Sequence, residues 1–303
     1  MNQEVYHIPA LLPQCLEAMN IEPCGIYADA TLGGGGHSRA IASLLTPPGH
    51  LYSFDQDSDA IERATPTDVF TPIHGNFRFM ANYLDFYGVE GKVDAILADL
   101  GVSFHHFDDA SRGFSFRAEG PLDMRMNPQA SLSAASLIAD ADVSRLTEIF
   151  RLYGELKQAR RIAETIVAER AKSPVDTTTR LVEVVSRHIN PAREKKELAQ
   201  VFQALRIVVN GEMDALREFL GAALSSLKPG GRLAIITYHS LEDRMVKNFM
   251  RTGNIEGKED KDLFGRSSSP IRPLTSKPVV PDETEIENNP RSRSAKLRVA
   301  CKL

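Results

Sequence analysis

The sequence predicts an α/β fold: a mostly parallel sheet with helices on both faces, and an all-helical segment inserted into it. Three observations predict it. From Ile26 onward short apolar runs alternate with helical patterns, and four consecutive glycines close the first run and open a helix. Between Leu100 and Arg232 the patterning is helical, with no convincing strand. Strands that alternate with helices pair in parallel, because each connecting helix carries the chain back across a face of the sheet.

Residues 26–31 read as a buried strand and 37–45 as a helix. Residues 51–55 form a second strand, 93–100 another and 232–237 a later one, each short, apolar and bounded by turn residues. In the insertion Leu156, Ala159, Ile162, Ala163, Ile166 and Val167 recur at spacings of three and four. So do Leu198, Val201, Phe202, Leu205, Val208 and Val209, and, beyond them, Met213, Leu216, Phe219, Leu220, Ala223, Leu224 and Leu227. Thr177, Thr178 and Thr179 offer caps for a helix through His188, and Pro191 starts the next. Lys228-Pro229-Gly230-Gly231 ends a helix and turns into the strand at 232–237. Residues 253–290, rich in Pro, Ser and charge, read as a mobile surface loop, and 297–303 as a last edge strand. The expected division is a discontinuous domain of residues 1–104 and 208–303 around an inserted helical domain of residues 105–207.

Composition narrows the class. The chain has 303 residues, 42% hydrophobic and 25% charged, which excludes collagen-like and wholly disordered chains. No apolar run approaches the roughly 18 residues of a membrane span, and residues 1–13 lack a basic start and an apolar core, so a soluble, cytoplasmic protein with no membrane partner is expected. Cys15, Cys24 and Cys301 are odd in number with no Cys-x-x-Cys pair, which fits a reducing compartment and buried bystander thiols. The net charge of −4 is unevenly spread: residues 1–104 hold 4 basic and 13 acidic side chains, residues 145–206 hold 13 and 8. A basic second half points to a polyanionic partner, against the alternative of a merely solvated helical face.

The sharpest local signal is Asp29-Ala30-Thr31-Leu32-Gly33-Gly34-Gly35-Gly36-His37-Ser38, a strand end, a glycine loop and a helix start. Without Cβ atoms a ligand can approach the backbone, and amides at a helix start favour electron-rich groups. The spacing is not a clean G-x-G-x-x-G, since Ser38 stands where the third glycine belongs. Asp55 ends the next strand, placed to accept hydrogen bonds from ribose hydroxyls. Together they indicate an adenosine-containing ligand and leave nicotinamide dinucleotide and S-adenosylmethionine both open.

Further strings separate the two. Leu227-Lys228-Pro229-Gly230-Gly231-Arg232-Leu233 resembles the turn before the fifth strand of class I S-adenosylmethionine-dependent methyltransferases, which have a Rossmann-like sheet; the strand at 297–303 resembles their closing antiparallel strand. Arg112-Gly113-Phe114-Ser115-Phe116, Gly120-Pro121-Leu122-Asp123-Met124-Arg125-Met126, Phe202-Gln203-Ala204-Leu205-Arg206-Ile207, His239-Ser240-Leu241-Glu242-Asp243-Arg244 and Asn289-Pro290-Arg291-Ser292-Arg293-Ser294 are similar to the motifs of the bacterial 16S ribosomal RNA cytosine-N4 methyltransferase family. The likeness runs from Tyr6-His7 to Arg298. It implies methylation of the exocyclic amine of cytidine 1402 in 16S ribosomal RNA, with the small ribosomal subunit as partner, S-adenosylmethionine as cofactor and no DNA partner, and it leaves a homodimer open. It implies a cofactor pocket of Gly35, Gly36, His37, Asp55, Phe77 (after a third strand), Asp99 and the position of His106. Where the family usually reads Val-Ser-Ser-Pro-Gln-Leu-Asp, this chain has Val102-Ser103-Phe104-His105-His106-Phe107-Asp108, so His106 replaces the Gln.

The reaction asks little of the protein. Cytosine N4 is a poor nucleophile because its lone pair is delocalised into the ring, so the site must position the base and provide an acceptor for N–H. Asp99 is the first candidate for that acceptor; the same carboxylate could instead hold the cofactor's ammonium. Ser103 and His239 are second candidates. Lys157, Arg160 and Arg161, with Arg193, Lys195 and Lys196, are candidates for binding RNA phosphates. His105-His106-Phe107-Asp108-Asp109 gathers metal-binding residue types, but adjacent ligands do not readily converge on one ion and no metal is expected. The rival readings are a nicotinamide-dependent oxidoreductase, which does not account for the insertion, and a non-catalytic RNA-binding factor of ribosome assembly.

Overall fold

The computed structural model describes residues 9–101, 109–259 and 268–303. The chain divides into two units, Met1–Gly101 with Met213–Leu303, and Val102–Glu212. The first half of the first unit is α1 (Leu12–Met19), β1 (Ile26–Asp29), α2 (Gly36–Ala42), β2 (His50–Asp55), α3 (Ser58–Glu62), β3 (Phe70–His74), α4 (Met80–Phe86) and β4 (Val93–Asp99). The second unit follows, with α5 (Ala134–Asp140), α6 (Val143–Leu152), α7 (Ala159–Arg170), α8 (Thr178–Ser186) and α9 (Glu194–Asn210). The chain then returns through α10 (Glu212–Ser226), β5 (Leu227–Thr237), α11 (Ser240–Thr252), β6 (Ile271–Pro273), α12 (Glu283–Asn288) and β7 (Lys296–Lys302).

The seven strands form one sheet in the order β3-β2-β1-β4-β5-β7-β6. The first five are parallel, and β7 runs antiparallel to both β5 and β6. Successive side chains of a strand point to opposite faces, and this sheet needs apolar residues on both. Ala28, Ile96, Ala98, Leu233 and Ile235 pack on one face against Met80 and Leu84 of α4, Phe219 and Leu220 of α10, and Phe249 and Met250 of α11. Their neighbours Tyr27, Ala95, Leu97, Ala234 and Ile236 pack on the other against Cys15 and Met19 of α1 and Ile41 of α2. That is why the strands read as unbroken apolar runs. Truncating a wholly buried ring such as Phe54 or Phe219 to alanine would cost about 3–5 kcal/mol.

Three expectations need correction. The strand at the carboxyl end is not an edge: β7 lies between β5 and β6, and β6 is the edge, as its Pro273 allows. Residues 253–290, expected as a mobile surface loop, contain β6 and α12. Lys228-Pro229-Gly230-Gly231 does not precede the strand but bulges within it, since Val93 pairs with Leu227 and Ala95 already with Arg232. Gly230 takes φ 80° to make that excursion.

The second unit has its own core, with Phe150, Ile162, Ile166, Val184, Val185 and Leu205 almost fully buried. Two of its helices start on hydroxyl side-chain caps: Ser133 and Ser136 cap each other's backbone at α5, and Thr177 Oγ1 accepts from Arg180 N (3.2 Å) at α8. The family-like string Gly120–Met126 is tied to the end of α9 here. Asn210, at the end of α9, accepts from Met126 N (2.7 Å) and donates to Met124 O (2.8 Å), while Arg125 grips Asp123 with two hydrogen bonds. No helix among the described residues is long and apolar enough to cross a membrane.

Candidate active site

The carboxyl ends of β1, β2, β4 and β5 deliver Asp29, Asp55, Asp99 and Thr237 to one edge of the sheet. The strand order reverses between β1 and β4, where parallel sheets open a crevice for ligands. The glycine loop hangs from β1. Asp29 is wholly buried and accepts from Thr31 N (3.0 Å) and Ser38 Oγ (2.6 Å), and Ser38 Oγ lies 2.9 Å from Ser53 Oγ. This carboxyl ties the loop's entry to α2 and to β2; burial pushes its pKa up to about 6. Gly33 (φ 50°) and Gly35 (φ 73°) both take left-handed conformations that disfavour other residues.

The other loop glycines differ. A Cβ on Gly34 would meet nothing within 4 Å, so this stretch of backbone is open to a ligand. A Cβ on Gly36 would sit 2.6 Å from Pro9 Cγ, so here the missing side chain makes room for the protein itself. Asp55 braces the loop, its Oδ2 accepting from Gly33 N (2.8 Å) and its Oδ1 from Asp57 N (2.9 Å). Phe77 lies in a short 3-10 turn after β3, edge-on to Phe219 with centroids 5.2 Å apart.

Asp99 is the best-positioned polar group of the crest. Its backbone N donates to Thr31 Oγ1 (2.7 Å), which pins the end of β4 to the loop. Its Oδ1 accepts from the Tyr238 hydroxyl (2.8 Å). Its Oδ2 has no hydrogen bond among the described residues, and His37 Nδ1 lies 3.7 Å from it. Burial pushes the Asp99 pKa up to about 7, against the lowering effect of the Tyr238 hydrogen bond, with Glu242 adding a further upward push. His37 is itself buried, and burial lowers its pKa. Its Nε2 lies 3.0 Å from Ala10 O, an acceptor only, so that nitrogen carries the proton and Nδ1 presents a lone pair toward Asp99.

His239 lies at the start of α11, with its Nε2 3.1 Å from Glu242 Oε1. It caps α11: its Nδ1 accepts from Glu242 N (3.3 Å), and Glu242 Oε2 in return accepts from His239 N (3.3 Å) and Tyr238 N (2.9 Å). Ser103 and His106 lie outside the described residues. Sequence reasoning missed Tyr238 and the bracing role of Asp29; the only signals for them were a tyrosine directly after an apolar strand and an acid directly before the glycine loop.

In the second unit Lys157, Gln158, Arg160 and Arg161 line a cavity of about 360 Å³. Arg160 also pairs with Glu164 at 2.8 Å. Arg193 ends a 3-10 turn, and Lys195 and Lys196 lie in the first turn of α9, all three exposed. Part of the basic excess is neutralised internally, because Glu169 takes Lys172, Arg180 and Arg187, each at 3.0 Å. Lys172 and Arg187 hold the Glu169 carboxyl down at about 2. Among the described residues Lys157, Arg161, Arg193, Lys195 and Lys196 have no carboxylate partner.

The chain is similar to known proteins along nearly its whole length. The chain is 56% identical over 300 residues to "Ribosomal RNA small subunit methyltransferase H" of Phocaeicola vulgatus, covering 99% of this chain and 98% of that one. It is 55% identical to the protein of the same name from Bacteroides fragilis over the same shares, and 46% identical to that of Christiangramia forsetii, covering 98% of each chain. Among solved structures, TrmN from Thermus thermophilus aligns with a TM-score of 0.44 at 13% identity, over 97% of this chain and 48% of that one, too loosely to add to the argument. A family model described as the MraW methylase family matches residues 4–303. Matched over that span and 46–56% identical to these relatives along 98% of their length, the chain belongs to the MraW methylase family.

Proposed function

We propose that this protein is an S-adenosylmethionine-dependent methyltransferase that methylates the exocyclic N4 amine of cytidine 1402 in 16S ribosomal RNA, with the small ribosomal subunit as its partner in the cytoplasm. The observation that carries the site is Asp99: a carboxyl at the switch point of the sheet, one oxygen held by Tyr238 and the other uncommitted among the described residues.

The residues present fit the cofactor. The open backbone at Gly34, the left-handed turns at Gly33 and Gly35, and the Asp55 carboxylate at the end of β2 suit an adenosine ligand. In this reading the glycine loop and Asp55 hold it, with Phe77 flanking. His37 and Gly36 act from behind, His37 by fixing the turn at Ala10 and Gly36 by admitting Pro9. S-adenosylmethionine, when bound, supplies a sulfonium methyl whose carbon–sulfur electron pair stays with sulfur as the new nitrogen–carbon bond forms. Asp99 Oδ2 accepts an N–H of the cytosine amine, draws its lone pair out of conjugation with the ring, and takes the proton that the methylated nitrogen must lose. A carboxyl with a pKa near the working pH suits that task. The target base has to leave its stack to reach a pocket, and the helical insertion serves as the clamp on the surrounding RNA, through phosphates at Lys157, Arg160 and Arg161 and at Arg193, Lys195 and Lys196.

Single-turnover methyl transfer to isolated small subunits tests this reading. Asp99→Asn should lower the rate at least about a hundredfold while leaving S-adenosylmethionine affinity nearly unchanged. If affinity falls first and saturating cofactor restores the rate, Asp99 holds the cofactor's ammonium instead. A mutant normal in both measurements removes Asp99 from the site.

A further inference from the structure

We infer that Tyr238 is a positioning residue for methyl transfer: by donating to Oδ1 of Asp99 it fixes that carboxyl and reserves Oδ2 for the substrate amine. The inference rests on the reading of Asp99 as the amine's acceptor.

A carboxylate has two oxygens and a free torsion, so an unsupported Asp at a strand end offers no defined acceptor. Here the backbone and the ring remove that freedom. Asp99 N is held by Thr31 Oγ1 at 2.7 Å, and Leu100 N donates to Ile236 O at 3.0 Å, so the ends of β4 and β5 stay in register beyond the strands. Tyr238 leaves β5 at that level. Its own N donates to Glu242 Oε2 (2.9 Å), which anchors the backbone on α11 while the ring projects back to β4. Gly101, two residues after Asp99, has φ 117°, and a Cβ there would lie 3.2 Å from Tyr238 Cδ2. The glycine thus leaves the ring just enough space to bring its hydroxyl to Oδ1 at 2.8 Å.

The groups facing Asp99 explain why a donor is needed. Asp29 at the end of β1 and Glu242 on α11 are acids, Cys15 on α1 is a buried thiol, and His37 on α2 is kept neutral by burial. None of them stabilises a negative charge, and burial acts against it. Tyr238 alone lowers the Asp99 pKa, and its own phenol is held protonated, with its pKa pushed further up, by burial and by the neighbouring carboxyl. It therefore always donates and never competes as a base.

The test is the pH profile of single-turnover transfer to isolated small subunits at saturating S-adenosylmethionine, for wild type, Tyr238→Phe and Asp99→Asn. Phenylalanine keeps the ring on Gly101 and deletes the hydroxyl. The acid limb should move up by about one pH unit, as expected for losing a hydrogen bond to a charged group, so the rate falls about fivefold at pH 7 and returns to within about twofold of wild type at pH 9. S-adenosylmethionine affinity should not change. A second probe, 3-fluorotyrosine at position 238, is a stronger donor of nearly the same shape and should move the limb the opposite way. An unshifted limb in both variants, with Asp99→Asn inactive, overturns the role of Tyr238 and leaves that of Asp99 standing. An active Asp99→Asn overturns the underlying assignment, and the inference with it.

Discussion

Asp99→Asn should make the protein more stable, and increasingly so as pH rises. The wild-type carboxyl has its pKa raised from 3.8 to about 7 on folding. Between those values the native state holds a proton that the unfolded state has released, so the wild type loses stability as pH climbs through the window. Above it the full cost of a buried charge is present, and below it none. With about 1.4 kcal/mol per pKa unit, the cost integrates to roughly 1.7 kcal/mol at pH 5 and roughly 4.3 kcal/mol at pH 8, a growth of about 2.6 kcal/mol. The side chain is 22% exposed, so water screens part of the charge and a growth of about 2 kcal/mol is the working figure. Asparagine escapes the cost: its Oδ1 still accepts from Tyr238, and its amide can donate toward the His37 Nδ1 lone pair. Urea denaturation of both proteins at unit steps from pH 5 to pH 8 gives the difference, since ionisable groups remote from Asp99 contribute equally to each and cancel. A stability difference that stays flat across that range would refute the claim that Asp99 is charged only at an energetic cost.

Asp55→Ala should weaken S-adenosylmethionine binding by about 1.5–3 kcal/mol by calorimetry, because a hydrogen bond to a charged group disappears and Gly33 N is left without its acceptor; unchanged affinity in a folded mutant would take Asp55 out of the site. Arg160→Glu with Arg161→Glu should reduce the slope of log affinity for single-stranded RNA against log salt by about 0.7 for each phosphate no longer neutralised, with cofactor affinity intact. If the slope survives, these arginines are only a solvated face. Gly113→Ala should destabilise by more than about 2 kcal/mol in a thermal melt, because φ is 70° there and the new Cβ would sit 2.1 Å from Pro121 O, a backbone atom with little room to retreat.

How much of this was legible in the chain can be traced residue by residue. The strands at β1, β2, β4 and β5 were visible because both faces of the sheet are covered, which turns each into a continuous apolar run. The strand β3 was visible only through family resemblance: Pro72 interrupts it, as it can only because β3 is an edge. The same composition hid β6, whose Ile271-Arg272-Pro273 gave no periodicity to find. At the site, Asp55 and Asp99 could be named because strand ends collect ligand-facing acids. Tyr238 could not, since its partner lies 139 residues away and only the pairing of β4 with β5 brings them together. His239 could be named as a candidate, but its cap was not read: Glu242 three residues on is the spacing of a capping box, which engages its Nδ1.

The place of β7 bears on how the molecule is made. Residues 296–302 zip between β5 and β6, so the sheet stays incomplete until those residues have been made. Until then β5 carries an open row of amides and carbonyls along its outer side, the kind of template on which nascent chains stick to one another. A product truncated ahead of Lys296 would keep most of its core and the whole glycine loop, yet be sticky rather than merely weakened. For the cell, solubility is thus a readout of whether translation reached the end of β7, and for the bench, extensions beyond Leu303 are safer than deletions before it.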